Sequence, residues 1–157
     1  MFKKLLEKIG NKQLSWSHRA EKETEIIDFG SFFSNIKKVL ILTPAHIDHF
    51  SVTMDQQKEL AALLPDATFY YFVREKYSSL FPNDLKHNML RIQENDITSL
   101  GVPNRRFLKN LATARFDIII DFNINFDLVS TFICKKTSAT LRICLCHPQR
   151  EPFYNLQ

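Results

Sequence analysis

Lys37-Lys38-Val39-Leu40-Ile41-Leu42-Thr43, closed by Pro44, is the stretch that decides the fold. Four consecutive aliphatic residues leave no polar face. Such a run reads as a strand covered on both sides, the normal state inside a parallel sheet. Asp117-Ile118-Ile119-Ile120-Asp121-Phe122 repeats the pattern and is the clearest strand in the chain. Working outward, residues 51–64 return to helical spacing and stop at Pro65-Asp66, with Met54, Leu60, Ala61, Leu63 and Leu64 as the apolar positions. Residues 68–73 read as a strand, and 89–92 as a shorter one. Gly101 and Pro103 introduce a helix over 104–114, with Phe107, Leu108, Leu111 and Ala112 facing inward. Asn125 is the expected N-cap of a helix over 126–136, and 140–146 reads as the last strand. Strands alternating with helices predict an α/β, Rossmann-like fold: a mainly parallel sheet of about five strands with helices on both faces.

The expected organisation is an amphipathic helix and polar linker over residues 1–30, followed by one α/β domain over 31–157. Phe2, Leu5, Leu6 and Ile9 share one helical face, and Lys3, Lys4 and Lys8 fall largely off it. That foot could pack on its own domain or make weak contact with an anionic membrane surface. The chain of 157 residues is 45% hydrophobic and 24% charged, enough apolar matter for a sizeable core. The formal net charge is +4, and residues 1–20 alone carry five basic against one acidic side chain. The basic character is thus read as an N-terminal feature, which argues against nucleic acid as a partner. Cys134, Cys144 and Cys146 are odd in number, form no CxxC pair, and read as reduced thiols. With no long apolar run and no cleavage site after the basic N-terminus, a cytoplasmic location is expected, peripheral to the inner membrane if the foot engages it.

Ligands of open parallel sheets gather at the carboxyl ends of the strands. Two loops leave such ends with polar residues: Thr43-Pro44-Ala45-His46-Ile47-Asp48-His49 and Asp121-Phe122-Asn123-Ile124-Asn125. If their strands are neighbours, both loops open on one rim. Asp48 between His46 and His49 has the composition of a general base with its partners. The same residues equally serve as loop-stabilising hydrogen bonders. A zinc site of His46, Asp48 and His49, and with it a small metal-dependent hydrolase, is the weakest reading. The other histidines are scattered, so no metal is assigned. Asp121, Asn123 and Asn125 could meet a sugar hydroxyl or simply cap the turn. Alternation along a strand would point Cys144 and Cys146 to one face, into packing rather than catalysis beside His147. There are only three glycines, with no GxGxxG, GxxxxGK[ST] or GxSxG, so no cofactor is predicted.

Several segments in this order resemble the N-terminal domain of glycosyltransferase family 9, the bacterial lipopolysaccharide heptosyltransferases. They are Val39–Thr43, Ile47-Asp48, the helix closing on Pro65-Asp66-Ala67, and Thr68–Val73. Later come Ile120-Asp121-Phe122, Ser138-Ala139-Thr140-Leu141-Arg142-Ile143-Cys144 and Phe153-Tyr154-Asn155-Leu156. The resemblance spans roughly residues 36–156 and implies one half of a GT-B fold, with Asp48 as the base that activates an acceptor hydroxyl. Isoleucine stands where that family usually has glycine before the aspartate. The chain also ends where the family continues into its nucleotide-sugar domain. The resemblance therefore implies an acceptor-side domain that is incomplete or non-catalytic alone, linked to cell-envelope glycan assembly. Its partner would be a second transferase-like chain or another protein. A non-enzymatic protein-binding module on the same fold is the alternative.

Overall fold

A computed structural model describes residues 27–157. The 2–9 helix and most of the 11–30 linker lie outside the described residues. The end of that linker is corrected: Phe29–Phe33 forms a short helix, α1, through the position of Gly30. Asp28 caps it, its carboxylate accepting from Gly30 N at 3.2 Å.

Five strands form one parallel sheet: β1 (Lys38–Leu42), β2 (Thr68–Arg74), β3 (Met89–Ile92), β4 (Ile118–Asp121) and β5 (Leu141–Cys144). Their order is β3-β2-β1-β4-β5, and every pairing is parallel. The other α-helices among the described residues are α2 (Phe50–Leu63), α3 (Arg105–Ala112) and α4 (Leu128–Lys136). Alternation along β1 splits the core in two. Leu40 and Leu42 pack with Phe107 of α3 and Phe132 and Ile133 of α4. Val39 and Ile41 pack on the other side with Phe32 of α1 and Phe50, Met54 and Leu60 of α2. Helices therefore cover both faces, and each fully buried aliphatic of β1 contributes about 1.5–3 kcal/mol relative to exposure.

The register of the centre is set at both ends. At the start of the strands, one Asp117 carboxylate oxygen accepts from Lys37 N at 2.8 Å and Lys38 N at 2.9 Å. At the other end Leu42 lies beside Asp121. The strands match expectation closely, but some helix positions do not. Leu63 and Ala112 face outward, and the inner face of α2 instead buries Thr53 and Gln57. The N-cap of α4 is Asp127, two residues after the expected Asn125, and it accepts from Ser130 N at 2.8 Å. An aspartate outcompetes asparagine here because its full charge also suits the helix dipole. The last strand ends at Cys144, so Cys144 is buried while Cys146 is exposed beyond it.

Candidate site at the switch of strand order

The chain runs outward from β1 to β2 and β3, then crosses back to β4 and β5. The crevice of such a fold lies where this reversal occurs, between the carboxyl ends of β1 and β4. The loops at 43–49 and 122–127 meet there on one rim, as the shared-rim reading requires. Their link is direct: Ala45 N donates to Asn123 Oδ1 at 2.7 Å.

Asn123 is the hub. Its amide nitrogen donates to Asp121 Oδ1 at 2.7 Å and Ser130 Oγ at 3.0 Å, and its backbone N–H donates to Asp121 Oδ1 at 2.9 Å. The other Asp121 oxygen accepts from the Tyr154 hydroxyl at 2.6 Å. Arg150 is fully buried, and its guanidinium donates to Asn123 O at 2.6 Å and to Asn125 O. Removal from water raises the Asp121 pKa above its ordinary value, against the opposing pull of Arg150, Tyr154 and Asn123. Burial beside that carboxylate also pushes the Tyr154 hydroxyl far up, so it stays a donor.

Of the six residues expected at a site, His46, His49, Asn123 and Asn125 border one small cleft, together with Asp127. Its volume is about 30 Å³, room for little more than water. Asp121 does not reach this cleft, because its carboxylate is turned into the network beneath. Asp48 stands exposed on the 3-10 turn Ile47–His49 and does not border the cleft either. Among the described residues, no three His, Cys, Asp or Glu side chains are grouped to hold a metal ion.

The anion position at the start of α4 is filled from within the chain. A helix N-terminus at this rim commonly receives a phosphate. Here Asp127 supplies the negative charge, held by Ser130 N and by Arg74 Nη2 at 2.7 Å across the end of β1. The two buried thiols are poor nucleophiles. Burial pushes Cys144 up to about 11 and Cys134 further, and His147 Nδ1 accepts from Gln149 N at 3.2 Å.

Arg150, Tyr154, Ser130 and Arg74 were not expected at the rim. Tyr154 was visible only within the resemblance, and an arginine in His147-Pro148-Gln149-Arg150-Glu151-Pro152 reads as a solvated loop residue. Asp127 carried a signal, since it opens the turn before an apolar helix.

No curated protein and no solved structure matches this sequence. A family model described as a family of unknown function, DUF6913, matches residues 3–157. The rim network and the sheet that carries it fall within that span, and the chain belongs to the DUF6913 family.

Proposed function

We propose that this domain is a non-catalytic protein-binding module, built on a fold like the acceptor-side half of a GT-B glycosyltransferase, that engages a partner protein through its carboxyl rim. One observation carries the reading: the buried polar groups beneath the switch point are engaged with each other. Asp121 accepts from Asn123 and Tyr154, and Asp127 from Ser130 and Arg74. A catalytic or ligand-binding crevice keeps convergent polar groups free and space to receive a substrate. About 30 Å³ is far below the several hundred Å³ that a sugar-sized ligand needs.

The rim also has a surface suited to protein contact. The connections leaving four neighbouring strands, β2, β1, β4 and β5, each expose one large aliphatic: Leu80, Ile47, Ile124 and Leu145, 46–51% exposed. Exposed aliphatics collected on one side of a domain mark an interaction surface. The likeness to the heptosyltransferase N-terminal domain supports the same face, since in a GT-B fold it turns toward a second domain. A link to envelope glycan assembly follows from that likeness.

Co-purification from the native host tests this. The wild-type chain and Asp48→Asn should retain the same partner, and Ile124→Asp with Leu145→Asp should lose it while folding normally. Sugar transfer by the purified chain alone from a nucleotide-sugar, abolished by Asp48→Asn, would overturn the proposal.

A further inference from the structure

The two edges of the sheet differ. Beyond β5 the chain covers itself: Leu156 bridges to Ile143, and Cys144 N donates to Leu156 O at 3.1 Å. Beyond β3 no described residue pairs with the outer side. The β3 sequence Met89-Leu90-Arg91-Ile92 holds no proline, and its register with β2 runs unbroken, so no bulge turns the edge away. A cover, a proline and a bulge are three of the means by which proteins blunt an edge, because open N–H and C=O groups invite another strand. β3 is limited only by its four-residue length, by Arg91 and by the Met89 N–H, which donates to Lys86 O.

A groove of about 470 Å³ lies alongside, between β3 and α3. Leu90, Phe107 and Leu111 give it an apolar wall, Arg106 borders it, and Arg91 lines its edge from the strand with its side chain on the alternate face of β3. Residues 86–116 carry six basic side chains against two acidic ones, Glu94 and Asp96. The near-neutral sum over residues 21–157 conceals this local excess. Asp96 is already committed, accepting from Gln93 N at 3.2 Å and facing Arg106 at 3.5 Å. Arg91 in turn faces Glu75 at 3.9 Å, but both arginines stay exposed, and with Glu75 counted six cations still stand against three carboxylates, so the neighbourhood of the groove is net positive.

We infer that β3 takes up an extended acidic peptide as an added sixth strand. Backbone pairing would give affinity, and alternate side chains would give selectivity. Aliphatic residues would enter the groove beside Leu90, and carboxylates on the other face would meet Arg91, which alternation places opposite Leu90. Peptide is favoured over nucleic acid by the open strand edge and the apolar wall. Phe107, the aromatic of that wall, is committed edge-on to Phe72, with ring centroids 6.1 Å apart, and presents no free stacking platform. This site stands apart from the carboxyl rim and does not depend on the function proposed there.

The test is a titration of the isotope-labelled full chain with an acetylated nonapeptide alternating valine and glutamate, followed by amide shifts and hydrogen exchange. Shifts and new protection should centre on Met89–Ile92 and α3. Arg91→Glu should weaken binding at least about tenfold, and a valine–lysine nonapeptide should prefer that variant to the wild type. Should Arg91→Glu fail to fold, Arg106→Glu, whose side chain is 79% exposed, serves the same purpose. The inference is overturned by an unperturbed β3 at millimolar peptide, or by equal binding of the lysine peptide to wild type. Tighter binding of an oligothymidylate, or self-association of the chain through β3, overturns it too.

Discussion

The carboxylate of Asp121 is buried away from bulk solvent and accepts from Asn123 N, Asn123 Nδ2 and the Tyr154 hydroxyl. Burial still wins, and its pKa rises from the ordinary 3.8. The sign follows from linkage. Between pH 3.8 and the raised native value, the folded protein holds a proton that the unfolded chain has released. This group's contribution is therefore fully present below about pH 4 and is lost as pH rises through the native value. Where the proton difference is complete, the slope is about 1.4 kcal/mol per pH unit. Asp121→Asn removes the titration. Urea unfolding of both proteins from pH 4 to 7 should show the wild type losing ground to Asp121→Asn as pH rises. The opposite trend would mean that Arg150 holds the carboxylate ionised. The sequence showed Asp121 at a strand end but not its depth, because the covering groups, Arg150 and Tyr154, come from about thirty residues away.

At the scale of elements, the caps of α3 and α4 make a useful contrast. Asn104 caps α3 by accepting from Phe107 N at 2.8 Å. Asp127 caps α4 in the same manner but also holds Arg74, with the two side chains only 26% and 16% exposed. Loss of a cap costs about 1 kcal/mol, and a half-buried, charge-assisted pair adds to that. Asn104→Ala should therefore lower unfolding free energy by about 1 kcal/mol, and Asp127→Ala by about 2 kcal/mol. Asp127→Asn should fall between, since asparagine keeps the cap and loses the charge. Denaturant titration of the three variants checks this order. The central strands were easier to read than helices because three or four aliphatics in succession, as at 118–120 and 39–42, permit little else. Helix faces were harder. Thr53 turns inward on α2 while its hydroxyl bonds back to His49 O at 3.2 Å, so a polar residue occupies a core position without an unmet hydrogen bond. Helix α1 escaped notice because five residues cannot establish a period.

Across the whole molecule, strand order was implied by the sequence only as far as neighbours of a parallel sheet. The aliphatic runs at 39–42 and 118–120 showed central strands, and their pairing brings the two polar loops together. What closes those loops could not be read, because the tail that does it has no periodicity of its own. Residues 147–156 send Arg150 and Tyr154 under the rim, bury Phe153, and finish with Asn155 and Leu156 against Arg142. Both Asn155 N and Leu156 N donate to Arg142 O, at 3.0 and 3.2 Å, and the Asn155 side chain bridges Arg142 N and Thr140 O. The tail thus serves as the guard of one sheet edge, while β3 has none among the described residues. Amide exchange should follow this asymmetry. β1 and β4 should exchange only through global unfolding, β5 should be intermediate, and β3 fastest of the five. Deleting residues 155–157 should abolish the difference between the two edges: β5 amides should come to exchange as fast as those of β3. Unfolding free energy should fall only modestly, because Arg150, Phe153 and Tyr154 remain in place. Sedimentation of the truncated chain should then show association that rises with concentration, since a second open edge has been created. If the truncated chain keeps slow β5 exchange and stays monomeric, the tail is not what protects that edge.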